Sequence, residues 1–331
     1  MVTIIWEERQ MNRLCFDGRV AIVTGAGRGL GRVYAKRLAE RGAKVVVNDP
    51  GATLDGARNS EPGIAEAVAE EIRNEGGSAV ANSHSVAEPE GAAAIAATAL
   101  ENFGRIDILI NNAGIWQFHP FEQYARDAFA RDLAVHVWGP WNMMQETCPV
   151  MKRQGYGRVL NTISSAMFGI ENSAGYCTVK AALIGFTRAL ATEMAETGIR
   201  INAMEPSAST RMGAPLFSDK QRAWRDAYQS ADMAAAGALW LVHEDCRANG
   251  GLYSCWSGRF GAFFLAANEG RWTKPAAISP EWVGSHFEQA VTPADLFFPD
   301  HAGTYGGNLR QRMRLPDAPS ADSLREAARR N

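Results

Sequence analysis

Short apolar runs alternate along the chain with longer stretches of helical periodicity. Arg19–Thr24 (RVAIVT), Lys44–Asn48 (KVVVN) and Ile106–Ile110 are brief and apolar-rich, as expected of strands covered on both faces. A further strand starts at Gly157. Leu30–Arg41, Gly63–Asn74, Glu90–Asn102, Ala174–Glu196 and Ser230–His243 instead space their apolar positions three and four apart, giving helices with one buried stripe. Strands that alternate with helices in this way must be joined by crossovers. The pattern therefore predicts an α/β fold, a doubly wound parallel sheet with helices on both faces. Asp49–Pro62 and the last fifteen residues, rich in Gly, Ala, Pro and Ser, read as loop.

Composition narrows the function classes. The 331 residues carry 34 Lys and Arg against 36 Asp and Glu, a formal net charge of −2, which gives no electrostatic basis for binding nucleic acid. No run reaches the ~20 apolar residues of a membrane span, and the first residues lack the basic start and apolar core of a secretion signal. These features lead to the expectation of a cytosolic, membrane-free protein. Five cysteines with no CxxC pair fit reduced thiols. His243, Glu244, Asp245 and Cys246 are metal-capable but read as a solvated helix end, so no metal site is expected.

Two constellations carry chemistry. Tyr176 and Lys180 stand four apart on one predicted helix and share a face. An ammonium there is expected to stabilise the phenolate and bring the Tyr pKa below its ordinary ~10, as general acid/base catalysis requires. Near the other end, the strand Arg19–Thr24 runs into Gly25, Ala26, Gly27, Arg28, Gly29, Leu30 and Gly31. Glycines permit a tight turn and close approach to a pyrophosphate, and the following helix offers unpaired N–H groups at its start. Asp49 ends the next strand about twenty residues on, where a carboxylate can hydrogen-bond the hydroxyls of an adenine ribose and repel a 2′-phosphate. Asp49 argues for NAD over NADP, while the cation Arg28 pulls the other way.

In this order the motifs resemble those of the short-chain dehydrogenase/reductase family, and the fold implied is a Rossmann-like single domain. Asn111–Asn112–Ala113–Gly114 matches the family's NNAG, in which Asn112 would help hold cofactor and sheet. The resemblance assigns proton transfer to Tyr176, ribose binding to Lys180, and a hydrogen bond to the reacting oxygen to a Ser about thirteen residues before the Tyr. Ile163 occupies that count, so Ser164 is the candidate and Ser165 the reserve. His136 stands where the family usually has an Asn, and is read either as a proton relay toward Lys180 or as a packed core histidine. Ser85 and Val86 would border the adenine, with His84 where the resembled branch has Asp. Ala208 and Thr210, in NAMEPSASTRM, would contact the nicotinamide amide or adjacent phosphate.

That branch is the (3R)-hydroxyacyl-CoA dehydrogenase part of peroxisomal multifunctional enzymes, which implies NAD-dependent oxidation of a (3R)-3-hydroxyacyl-CoA. After NNAG the chain departs from the branch with Trp116, Phe118 and Phe121, aromatics that either recognise a steroid or other cyclic secondary alcohol or pack against a neighbouring helix. A non-catalytic NAD-binding regulator is the third reading, motivated by His136 and the shifted Ser. The domain reading is an N-terminal arm over 1–12, a dehydrogenase domain over 13–272 and an extension over 273–331. The family implies a homodimer or homotetramer with a small-molecule substrate.

Overall fold

The computed structural model describes residues 13–56, 61–210, 217–301 and a few positions up to 311. The expected arm over 1–12 and the end of the chain lie outside the described residues. These fall into two compact units that meet in sequence between Phe263 and Phe264, nine residues earlier than the expected boundary after Trp272.

In the first unit, β1 (Val20–Thr24), α1 (Gly29–Ala39), β2 (Lys44–Asn48), α2 (Ile64–Asn74), β3 (Ser78–Asn82), α3 (Pro89–Phe103) and β4 (Ile108–Asn111) form the first half of the sheet. There follow α4 (Arg126–Leu133), a wider π-helical turn at Ala134–Trp138, α5 (Gly139–Gln154), β5 (Gly157–Thr162), α6 (Ala174–Glu193) and β6 (Ile199–Pro206). The unit closes with α7 (Asp219–Tyr228), α8 (Ala231–Val242), β7 (Leu252–Trp256) and β8 (Arg259–Phe263).

The strands order as β3-β2-β1-β4-β5-β6-β7-β8, and every pairing from β3 through β7 is parallel. The doubly wound sheet was thus legible in the alternation of runs, but its last strand is antiparallel. Ser257 and Gly258, both at positive φ, form a two-residue turn that folds β8 back on β7.

Period-two alternation splits the core in two. Ala21, Val23, Val45 and Val47 pack with Tyr34 and Leu38 of α1, Ile72 of α2 and Leu239 of α8. Val20, Ile22 and Val46 face Ile95 of α3 and Met143 and Met151 of α5. Side chains this deeply buried each contribute roughly 1.5–3 kcal/mol of transfer free energy, and they hold β1 and β4 rigidly side by side. Strand order reverses between these two strands, so the loops leaving their C-terminal ends part and open a crevice. The second unit has one longer helix, α9 (Pro280–Ala290), capped by Ser279, whose hydroxyl accepts from Trp282 N at 3.1 Å.

Candidate active site

The crevice is a cavity of about 510 Å³. Its lining includes Gly25, Arg28, Gly29 and Leu30 from the first turn, Asp49 beyond β2, Ser85 and Val86 beyond β3, and Asn112 beyond β4. It also includes His136, Ser164, Tyr176, Lys180, Ala208 and Thr210. The fold thus gathers the sequence-derived candidates in one place, with one difference. Gly31 lies behind the wall, where a Cβ would stand 2.2 Å from Gly25 O and 2.5 Å from Asn112 Nδ2. It lets α1 close against the turn instead of bordering the cavity.

The glycine turn is fixed from beneath. Gly25 sits at φ +64, and a Cβ there would meet Ala113 Cα at 2.8 Å. Asn112 Nδ2 donates to Thr24 O at 2.9 Å and Gly25 O at 3.1 Å, while Thr24 Oγ1 accepts from the N–H groups of Asn112 and Ala113. The first turn of α1 has no acidic residue and no side-chain cap, so its N–H groups face the cavity end with the positive pole of the helix. Asp49 supports the same turn: Oδ2 accepts from Gly27 N at 3.0 Å and Oδ1 from Gly51 N at 2.8 Å. Arg28 forms an ion pair with Glu61, which offsets the cation that sequence set against Asp49. His84 is exposed, its N–H donating to Asn82 Oδ1 at 2.9 Å. This cradle suits a dinucleotide: open backbone donors at one end and a carboxylate beyond β2.

At the far end stands the reactive wall. Ser164 caps the short turn Ser165–Phe168, its Oγ accepting from Ala166 N at 3.1 Å, and its side chain favours the Tyr176 phenolate. Ser165 also borders the cavity, while Ser164 is the serine whose side chain bears on the Tyr176 phenol. Lys180, only 3% exposed, donates from Nζ to Thr162 O at 2.7 Å and lies 5.7 Å from the Tyr176 ring centroid.

The electrostatics depart from the expected tuning. Tyr176 is half-buried, and burial pushes its phenol up to about 12, opposed by the Ser164 side chain. Burial brings Lys180 down to about 7. In the free cavity desolvation therefore outweighs the attraction between ammonium and phenolate, and Tyr176 stands as a protonated donor.

His136 projects from the π-helical turn, a winding often found at functional positions. Its ring crosses Tyr176 edge-on at 5.4 Å, and Nε2 lies 3.1 Å from Ile115 N and 2.7 Å from Ile115 O. Burial takes its pKa down to about 3, leaving a neutral imidazole. Nδ1 is buried with no partner among the described residues, so His136 combines a packed ring with one unpaired ring nitrogen. Of the loop aromatics, Trp116 borders the cavity and packs on Tyr176 at 5.7 Å. Phe118 and Phe121 are exposed, at 47% and 77%.

Two features were missed by sequence reading. Tyr124 and Gln117 both donate to buried Asp132, with Gln117 Nε2 at 3.3 Å, tying the loop after β4 to α4. The second is Glu205, a buried carboxylate in the cavity lining. A carboxylate between Met204 and Pro206 at the end of the buried strand β6 was its visible signal.

The family model for short chain dehydrogenases matches residues 19–221. The mouse peroxisomal multifunctional enzyme type 2 is 40% identical over 250 residues, 75% of this chain and 33% of that protein. The yeast (Saccharomyces cerevisiae) peroxisomal hydratase-dehydrogenase-epimerase is 36% identical over 314 residues, 92% of this chain and 34% of that protein. The chain thus spans about a third of these multifunctional relatives. A short chain dehydrogenase from Mycobacterium avium superposes with a TM-score of 0.72 at 32% identity, covering 83% of this chain and 94% of that one. A 7α-hydroxysteroid dehydrogenase complexed with NADH and 7-oxo glycochenodeoxycholic acid does so with 0.66 at 29% identity, covering 74% and 94%. With the cradle and the Ser164–Tyr176–Lys180 wall in one cavity, the chain belongs to the short-chain dehydrogenase family of nicotinamide-dependent oxidoreductases acting on CH–OH groups.

Proposed function

We propose that the protein transfers hydride between a secondary alcohol and NAD, with a (3R)-3-hydroxyacyl-CoA and its 3-oxoacyl-CoA as the substrate pair. The observation that carries this reading is the shared cavity: a phosphate cradle with Asp49 at one end, and Ser164, Tyr176 and Lys180 at the other. The acyl-CoA assignment rests on the relatives named above.

Bound there, NAD would supply the hydride acceptor. Gly25 through Leu30 and the start of α1 would hold its phosphates, Asp49 the adenosine ribose, and Ser85 and Val86 the adenine edge. Asn112, Ala208 and Thr210 would border the nicotinamide half. Asp49 and the Arg28–Glu61 pair together disfavour a 2′-phosphate. Ser164 orients the substrate hydroxyl, and Tyr176 takes its proton. A phenol near 12 is a poor base at neutral pH, so oxidation needs positive charge beside it. Lys180 in its ammonium form, turned from Thr162 O toward the ribose, supplies that charge. In the reverse direction Tyr176 is already the proton donor. His136 Nδ1 offers the open end of a proton path.

A second reading, a steroid or other cyclic secondary alcohol, is favoured by Trp116. Its ring packs on Tyr176, and its Nε1 is a buried donor without a partner among the described residues. We also propose a homodimer or homotetramer, supported by Trp138 and Trp141, 54% and 42% exposed around the start of α5. Turnover of thioesters beside cyclic alcohols, with NAD and NADP in parallel, separates the readings. Absence of NADH formation from every 3-hydroxyacyl-CoA tested would exclude the first.

A further inference from the structure

Glu205 stands out because the fold gives its charge little compensation. It ends the buried run of β6, opposite Ser254 of β7, and is 5% exposed. Its side chain borders the same cavity as Tyr176, Lys180, Pro206 and Ser207. Among the described residues no hydrogen bond reaches its carboxylate. The two nearby cations are engaged elsewhere: Arg225 donates to Ala208 O at 2.9 Å and lies over the Phe217 ring, while Arg259 donates to Ser254 Oγ at 2.9 Å. A buried carboxyl without partners is expensive, and a small apolar side chain would fill a strand end at less expense. What distinguishes this position is the cavity it faces.

The nicotinamide ring is cationic when oxidised and neutral when reduced. A fixed anion in a low-dielectric cavity therefore discriminates between the two forms by charge alone. Resting on the cofactor reading above, we propose that Glu205 is an electrostatic selector of cofactor oxidation state, favouring bound NAD⁺ over NADH and so drawing the enzyme toward alcohol oxidation. Burial lifts its carboxyl to about 7, against the pull of Arg259 and Arg225. The selection is therefore weak in acid and strengthens as pH rises through neutrality.

The groups around Glu205 that bear on its titration are Arg225 of α7, Arg259 of β8, Tyr34 of α1, Cys255 of β7 and Tyr176 of α6. Burial drives the Tyr34, Cys255 and Tyr176 pKa values upward, leaving all three neutral near pH 7. Lys180 lines the same cavity and loses its charge near 7, a change that also favours NAD⁺ and that persists when Glu205 is replaced.

The test is calorimetric titration of NAD⁺ and NADH separately into the intact protein at pH 6 and pH 8.5, for wild type and Glu205→Gln. In wild type, Kd(NADH)/Kd(NAD⁺) should rise on the order of tenfold more across this interval than in the variant. At the higher pH, Glu205→Gln should weaken NAD⁺ about tenfold and leave NADH unchanged. If Glu205→Gln fails to fold, Glu205→Ser takes its place, and a flat wild-type ratio overturns the proposal without any variant. Binding of both nucleotides with equal pH dependence in the two proteins overturns it while leaving the cofactor reading intact. Binding of neither nucleotide removes the cofactor reading, and this inference with it.

Discussion

Replacing Lys180 by Met should stabilise the cofactor-free protein while removing its turnover. Burial carries this ammonium from 10.5 down to about 7. At about 1.4 kcal/mol per tenfold change in acidity, the native state at pH 7 carries a penalty on the order of 4 kcal/mol that an unfolded Lys does not. Methionine fills nearly the same volume without the charge. It also loses the Nζ hydrogen bond to Thr162 O, returning about 1 kcal/mol. The net gain is about 3 kcal/mol, or a rise of roughly 6–10 °C in Tm for a domain of this size.

The pH dependence fixes the sign independently. Between about 7 and 10.5 the unfolded chain binds a proton at this site that the native chain does not, so wild-type stability contributed by Lys180 rises with pH across that window. Lys180→Met should lack that rise. Thermal unfolding followed by tryptophan fluorescence at pH 7 and pH 9.5 measures both quantities. A variant no more stable than wild type at pH 7, with an undiminished gain toward pH 9.5, would show that the site solvates the ammonium and that desolvation does not govern it.

Three further outcomes follow from the geometry. Asp49→Ala removes the acceptor of Gly27 N and Gly51 N as well as the carboxylate proposed to hold the ribose, and should weaken NAD roughly 10- to 100-fold and NADP less. An unchanged NAD/NADP preference in titration would contradict its role. Trp116→Ala deletes the ring packed on Tyr176 and should raise KM up to about tenfold with a smaller change in kcat. Steady-state kinetics in which kcat alone fell would oppose a substrate-facing Trp116. Tyr124→Phe withdraws one donor from buried Asp132 and should lower stability by about 2 kcal/mol without changing the Kd for NAD. A Kd that moved in step with the Tm would show that the loop after β4 communicates with the cradle.

The sheet was legible because its strands are covered on both faces and therefore read as unbroken apolar runs. Lys44–Asn48 falls where expected, and Val20–Thr24 differs by one residue. The helix ends were less so. α6 stops at Glu193 instead of Glu196 because a tighter turn over Ala195–Thr197 leads the chain into Gly198 at φ +78. The β8 hairpin hung on the Ser257–Gly258 pair, a local signal inside a sequence otherwise read for crossovers.

Within the site, spacing alone paired Tyr176 with Lys180 on one helical face. The acidity of the pair was not legible, because desolvation depends on what the rest of the chain stacks over them. Trp116 and His136, both against the Tyr176 ring, come from segments some forty to sixty residues earlier in the chain. At Gly31 spacing pointed to the binding motif, and the structure adds a packing reason for the glycine, the close approach of α1 to Gly25.

The central claim is that Tyr176 and NAD act on a (3R)-3-hydroxyacyl-CoA in this cavity. The most direct measurement is NADH formation, followed by absorbance, from a series of such thioesters with wild type and Tyr176→Phe, beside cyclic secondary alcohols. Turnover of the thioesters by wild type, reduced at least 100-fold in Tyr176→Phe with NAD binding retained, is the expected result. Turnover of cyclic alcohols alone, or a Tyr176→Phe variant as active as wild type, would contradict the account.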